Sequence, residues 1–141
     1  MKRYVSINLV IALVLTAALG AQQQQASPVA DAAMRGDKAA VRDLLKQGAD
    51  VNGAPGDGMS ALHWAAERGD AELAGMLIYA GANIAAVTRI GQYTPLHLAG
   101  KSGSAPLTKA LLKAGADVNA RSINSGVTAL HMACLLYTSP S

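Results

Sequence analysis

The stretch Thr94-Pro95-Leu96-His97-Leu98-Ala99 has two near-copies in this chain of 141 residues, Ser60-Ala61-Leu62-His63-Trp64-Ala65 and Thr128-Ala129-Leu130-His131-Met132-Ala133. The histidines at the centres of the three copies follow one another at intervals of 34 residues. A period of this size indicates one supersecondary unit stacked on copies of itself, so that each unit buries its apolar face only against its neighbours. The sequence therefore predicts a solenoid.

Glycines and helix-capping residues keep the same period. Glycine follows the first helix of each predicted unit (Gly36, Gly69 and Gly103), and Gly-Ala pairs at 48–49, 81–82 and 115–116 end the second. Side chains able to cap a helix precede the first helices (Ser27, Ser60, Thr94 and Thr128) and the second helices (Asp37, Asp70 and Ser104). Each unit is therefore predicted to be a helix, a tight turn and a second helix.

This arrangement resembles the ankyrin repeat, whose pattern runs roughly Gly-x-Thr-Pro-Leu-His-x-Ala-Ala-x-x-Gly, then an amphipathic helix ending Leu-Leu-x-x-Gly-Ala and a hairpin near Asn-Ala. The resemblance covers about residues 27–133, in units of about 27–54, 55–87 and 88–121 and a partial unit 122–133. It implies an all-α solenoid of helix-turn-helix units joined by β-hairpin loops and truncated in the last repeat. It also implies a structural role for His63, His97 and His131, through bonds from the imidazoles to the backbone.

The first twenty residues have the features of an export signal. Lys2 and Arg3 precede an apolar run, and small residues then lead into the polar segment Gln22–Gln25. A positive start, a short apolar run and a small-residue exit indicate a signal peptide at 1–20, of bacterial style, followed by a polar leader at 21–26. We expect a periplasmic or secreted protein with no membrane contact after cleavage. The alternative is an uncleaved anchor, although the run is shorter than the roughly 20 residues a span requires.

The end of the chain departs from the repeat. Residues 134–141 begin in the middle of a predicted helix and resemble the translation of a transposon-end adapter used in preparing sequencing libraries. We expect this segment to be a non-native tail and the natural protein to continue past Ala133. We also expect the incomplete last unit to leave Leu111, Leu112 and Leu130 uncovered, and two internal helical glycines, Gly75 and Gly100, to weaken their repeats by roughly 1 kcal/mol each.

Charge and cysteine content exclude two classes of protein. The net charge of +3 falls to about +1 when Lys2 and Arg3 leave with the signal, and the remaining basic residues are scattered among acids. A nucleic-acid partner would need a clustered basic face, so none is expected. Cys134 is the only cysteine, which rules out a disulfide within the chain, and the domain must be stable through packing alone.

No motif in the sequence assembles a catalytic or metal site. Equivalent histidines of stacked units lie on the order of 10 Å apart, too far to share one metal ion. Gly100-Lys101-Ser102 resembles the end of a phosphate-binding loop, but Pro95 stands where that motif requires its first glycine. We therefore expect no enzyme activity, no cofactor, no metal and no small-molecule ligand.

Ankyrin repeats bind partners through their hairpin tips and the inner face of their first helices. The positions that the resemblance implies here are Asp57, Met59, Glu67, Arg68, Arg89, Ile90, Gln92, Tyr93, Lys101, Ser102, Ile123 and Val127. We expect a monomeric, exported, non-catalytic scaffold that binds a protein partner on its concave face. Two alternatives stay open: the N-terminal ankyrin region of a larger exported enzyme or effector, and a membrane-anchored scaffold.

Overall fold

The computed structural model describes residues 27–138 and the side chains of residues 27–135. The predicted signal peptide 1–20, the polar leader 21–26 and the end of the predicted tail, 139–141, lie outside the described residues. The described part forms seven α-helices and no strand: α1 Pro28–Arg35, α2 Lys38–Lys46, α3 Ala61–Glu67, α4 Ala71–Tyr79, α5 Pro95–Ser102, α6 Ala105–Lys113 and α7 Ala129–Thr138. Among these helices none is long and apolar enough to cross a membrane.

The helices alternate between two layers of a solenoid. The first helices of the units, α1, α3, α5 and α7, pack on one another in series. Each of the first three is paired with its own second helix (α2, α4 or α6), and α4 packs against α6 in the second layer. Each unit thus covers only its neighbours, as the 34-residue period predicts, and the all-helical repeat fold is confirmed.

The helices begin where the capping residues predict. The Ser27 hydroxyl oxygen accepts a hydrogen bond from the Ala30 N–H at 3.3 Å. The carboxylates of Asp37 and Asp70 each accept one from the N–H three residues later, at 3.0 Å. Ser104 occupies the corresponding position before α6, but its side chain makes no capping bond, and its carbonyl accepts the Thr108 hydroxyl at 2.9 Å instead. Local sequence therefore sets the helix starts, with a weaker cap at α6.

The core combines leucines with small residues. The side chains of Leu62, Leu73, Leu77, Leu107 and Leu111 are 0% exposed. Alanine pairs in α1 and α3, including Ala65 and Ala66, are also fully buried and allow the first helices to approach closely. Full burial stabilises each leucine by roughly 1.5–3 kcal/mol.

The expected exposure at the last unit is only partly correct. Leu112 is 41% exposed and Leu130 is 72% exposed, but Leu111 is fully buried, so its predicted lack of cover was wrong. Leu111 belongs to the cluster formed with Leu107 and the residues of α4 and α5, which its own unit and the preceding one complete. In the described part of the chain, no second helix covers the side of α6 that faces away from α4.

Replacement of the two internal helical glycines by alanine is predicted to change the free energy of unfolding in opposite directions. A Cβ on Gly75 would meet no atom within 4 Å, whereas a Cβ on Gly100 would overlap the carbonyl of Ala129 in α7. Gly75→Ala should raise the free energy of unfolding by about 1 kcal/mol through helix propensity. Gly100→Ala should lower it by about 1–2 kcal/mol, because overpacking outweighs the same gain. Urea denaturation of both variants checks this, and a stabilised Gly100→Ala variant would contradict the close contact.

Candidate protein-binding surface

The loop between α4 and α5 is a hairpin closed by Thr88 and Tyr93. The Thr88 N–H donates to the Tyr93 carbonyl at 3.0 Å, and the Tyr93 N–H donates to the Thr88 hydroxyl oxygen at 3.1 Å. The next loop repeats this arrangement with Ser122 and Val127, at 3.0 and 3.1 Å. Although no strand is assigned in the described residues, these bonds give each loop the closed hairpin form that the resemblance implies.

Backbone bonds join the tips of successive hairpins. The Arg89 N–H donates to the Asp57 carbonyl at 2.9 Å, and the Ile123 N–H donates to the Gly91 carbonyl at 3.1 Å. Gly91 and Gln92 both have positive φ, 83° and 51°, which accommodates the longer loop. Three consecutive tips are therefore held in register by main-chain contacts that do not depend on side-chain identity.

Two large apolar side chains project from these tips. Ile90 is 78% exposed and Ile123 is 64% exposed, on adjacent hairpins and one position apart in the repeat register. Arg89 and Gln92 are exposed beside them. Apolar side chains held on a fixed backbone are suited to anchoring another protein, because burying them costs little ordering entropy.

Charged side chains on the first helices contact one another between units. Lys101 of α5 pairs with Glu67 of α3 at 2.7 Å. Arg68, which follows α3, donates to the Met34 carbonyl at the end of α1 at 3.3 Å. These predicted binding positions lie at one surface, but each charge already has a partner within the stack, and Ser102 donates to the Ala99 carbonyl.

The remaining predicted positions divide between surface and core. Asp57 is exposed, and its carboxylate accepts the Met59 N–H at 2.9 Å. Met59 and Tyr93, two of the positions implied to contact a partner, are half-buried and pack against the core. Val127 is also half-buried and lies at the equivalent hairpin position. These three side chains line the base of the hairpins rather than their tips.

His63 and His97 each hydrogen-bond to the hairpin of the following unit. Nδ1 of His63 accepts from the Ser60 N–H at 3.2 Å and lies 2.8 Å from the Ser60 hydroxyl. Because Nδ1 accepts, the ring proton is on Nε2, which donates to the Tyr93 carbonyl at 3.0 Å. His97 makes the same contacts with Thr94 and with the Val127 carbonyl. The described residues contain no group of three or more potential metal ligands.

Stability is predicted to fall in mild acid because of His63. Burial lowers the pKa of His63, against a raising contribution from its bond to the Tyr93 carbonyl. The unfolded chain takes up this proton near pH 6.5 and the folded chain only at lower pH, so the contribution is complete above about pH 6.5 and is lost as pH falls below it. Urea denaturation between pH 7.5 and 5 should show this loss. His63→Gln should reduce the pH dependence in that window, and an unchanged slope would contradict the assignment.

An exposed groove at the last unit was not predicted from the sequence. The groove, of about 1080 Å³, lies between α6 and α7, and residues of α5 also line it. Leu112 and Leu130 were expected to be uncovered, but the basic residues that share the groove were not recognised. The repeat register could have pointed to one of these basic residues, since Lys109 occupies in α6 the position of Arg42 in α2.

Comparison with known families agrees with this architecture. The family model described as "Ankyrin repeats (many copies)" matches residues 29–78, and that described as "Ankyrin repeat" matches residues 91–123, together more than half of the chain. A comparison with curated proteins finds no match. Both matched regions lie within the helical stack, and each contains one of the two histidines, His63 or His97, that bond to a following hairpin. The chain therefore belongs to the ankyrin-repeat family.

Proposed function

We propose that this protein is an exported, non-catalytic scaffold that binds a protein partner across its hairpin tips and the adjacent face of its first helices. Ankyrin repeats are generally protein–protein interaction modules. The observation that carries the proposal is the pair Ile90 and Ile123, exposed on hairpin tips that backbone bonds hold in register. Exposed apolar side chains on a rigid support are what the centre of an interface requires.

The charged residues beside the tips would serve the rim of this interface. Arg89 is exposed, and the Lys101–Glu67 pair presents one side chain of each sign. Rim charges steer association and select partners more than they add affinity. The apolar tips would therefore supply most of the binding energy, and the first-helix face most of the orientation.

Site-specific photo-crosslinking in the source cell tests this assignment. A photoreactive phenylalanine analogue at position 90 or 123 should capture the same protein partner, identified by mass spectrometry. The control is the same analogue at position 79, because Tyr79 is 96% exposed but ends a second helix, away from the tips. Capture from position 79 with none from the tips would place the interface elsewhere.

Affinity for the captured partner then measures the contribution of the tips. Ile90→Asp combined with Ile123→Asp should weaken binding by roughly tenfold or more, since each buried anchor contributes about 1 kcal/mol or more. Tyr79→Asp should bind as the native chain does. A double variant with native affinity would contradict the proposal.

Export is a separate part of the proposal and has its own measurement. The features that support it are the basic start, the apolar run and the small-residue exit of residues 1–20. Mass spectrometry of the protein from the source cell should find a mature N terminus near residue 21. An intact Met1–Ala21 segment would rule out cleavage and favour the membrane-anchored scaffold.

A further inference from the structure

The side chain of Asn52 bridges two successive units. Asn52 is exposed in the loop between α2 and α3. Its Oδ1 accepts a hydrogen bond from the Asn83 N–H at 2.6 Å, and its Nδ2 donates to the Gly81 carbonyl at 3.4 Å. Both partners lie in the loop that follows α4, one unit further along the stack. This pair of bonds requires a side chain with both a donor and an acceptor, which the primary amide supplies.

Close packing accounts for the glycine that follows Asn52. A Cβ on Gly53 would lie 2.7 Å from Oγ of Ser27, the hydroxyl that caps α1 by accepting the Ala30 N–H. A larger residue at position 53 would displace that cap, so the close approach to Ser27 favours glycine. The fold therefore favours asparagine at 52 and glycine at 53 for two separate reasons.

Asn119 occupies the same position of the repeat two units further on. The Asn52 N–H donates to the Asp50 carboxylate at 2.9 Å, and the Asn119 N–H donates to the Asp117 carboxylate at 2.9 Å. The local turn is therefore the same at both asparagines. Asn119 is followed by alanine, whereas Asn52 is followed by glycine. Comparison of the two separates the effect of the following residue from that of the turn.

An asparagine followed by glycine is prone to deamidation, because glycine leaves the next backbone nitrogen unshielded. In that reaction the Gly53 nitrogen gives its proton to a base in the solvent and attacks Cγ of Asn52. The N–Cγ bond forms, the Cγ–Nδ2 bond breaks, and ammonia leaves with a proton from water. Water then adds to one of the two carbonyl carbons of the succinimide ring, which opens to aspartate or isoaspartate. The reaction consumes water and involves no oxidation or reduction.

The bonds to the next unit restrain this reaction. To bring Cγ to the Gly53 nitrogen, the Asn52 side chain must leave the Asn83 N–H and the Gly81 carbonyl. The reaction therefore proceeds in molecules in which the two loops have separated, an opening of the kind that folded proteins undergo locally. Its rate depends on how often the first unit undocks from the second.

The product of deamidation cannot restore the bridge. A carboxylate accepts hydrogen bonds and donates none, so the Gly81 carbonyl loses its donor and faces a negative charge. Isoaspartate in addition lengthens the main chain of this turn by one carbon. The contact between the two loops is therefore weaker after the reaction than before it.

We propose that Asn52 is a deamidation site that is protected while the first two units are docked, and that its aspartate or isoaspartate product weakens their contact. Each opening of the two loops then exposes the amide to a change that favours further opening. Among the four asparagines between residues 27 and 138, the reaction is directed to the one followed by glycine, which forms the bridge.

Peptide mapping of the full chain by mass spectrometry tests the proposal. After incubation at pH 8 and 37 °C, conversion of amide to acid should appear at Asn52 before Asn119, and isoaspartyl methyltransferase should label the product. In guanidinium chloride above the unfolding transition, conversion at Asn52 should be at least roughly fivefold faster, because the bridge is absent. Equal rates in the folded and unfolded chain, earlier conversion at Asn119, or an unchanged Asn52 in the folded chain would overturn the proposal.

Two variants measure the effect of the product on the fold. Asn52→Asp should melt about 3–6 °C below the native chain, the shift expected when a domain of this size loses one hydrogen bond. Asn119→Asp is the matched control, in the same turn, and should melt as the native chain does. Circular dichroism records the melting and shows that both variants are folded. Equal melting temperatures for the two variants would also overturn the proposal.

Discussion

Replacing His63 by alanine is expected to lower the free energy of unfolding by about 4 kcal/mol. The imidazole is 0% exposed and bonds at both ends, to Ser60 at the start of α3 and to the Tyr93 carbonyl of the next hairpin. Its removal leaves buried polar groups without partners, at about 1–3 kcal/mol each, and opens a cavity. The substitution therefore removes a helix-capping bond and a contact between two units at once.

His131→Ala is the matched control, because His131 stands in the same motif of the last, partial unit. Its Nδ1 lies 2.7 Å from the Thr128 hydroxyl, but the side chain is exposed and no hairpin of a following unit is present in the described residues. We expect a loss of about 1 kcal/mol or less, the contribution of a solvated capping contact. Urea denaturation gives both values, and equal losses for the two variants would contradict the role of burial and inter-unit bonding.

Leu111→Ala is expected to destabilise the fold by about 3–4 kcal/mol, and Leu112→Ala by less than about 1 kcal/mol. Leu111 is fully buried in the cluster with Leu107, so truncation removes apolar contacts and leaves a cavity. Leu112, the next residue of α6, is 41% exposed in the groove and loses little. The two substitutions are chemically identical and differ only in environment.

Denaturation monitored by the fluorescence of Trp64 measures both leucine variants. Trp64 is the only tryptophan and is half-buried against the core, so its emission reports unfolding of the central unit. Comparable destabilisation by the two substitutions would mean that the last unit is covered differently from the arrangement described here. In particular, a large loss for Leu112→Ala would indicate an occupied groove.

Helix positions could be predicted from the sequence because their causes are local. Ser27, Asp37 and Asp70 cap helices through bonds to N–H groups three residues away, and Gly48 ends α2 with φ 79°. The register of the stack followed from the repeated motif, since a fixed period allows only one pairing of neighbours.

Packing between units could not be predicted at the same level. Gly100 was interpreted as a weak point of a helix, yet the approach of Ala129 requires a residue without a side chain there. Tyr93 was predicted as a partner-binding position, yet it is half-buried against the core. Both outcomes depend on atoms of a neighbouring unit, about 30 residues away along the chain, which no local pattern records.

The exposure of the hairpin tips could be predicted from the sequence, but the contacts among the charged residues of the first helices could not. Ile90 and Ile123 are exposed on the tips as expected. The engagement of Arg68 with the Met34 carbonyl, and of Lys101 with Glu67, was not foreseen, because side-chain direction across adjacent helices depends on their spacing. Which of the predicted positions contact a partner stays a prediction.

The bonds that cross between units have a consequence for how such a chain can grow. The side-chain bonds from His63 and His97 to the following hairpins span 30 residues, and those joining Lys38 to Glu72 and Lys101 to Glu67 span 34. Each closes a loop of nearly the same length, so the entropy of closing it does not depend on the number of units. Duplicating or deleting one whole unit of the gene would therefore leave the loop-closure entropy of every other unit unchanged.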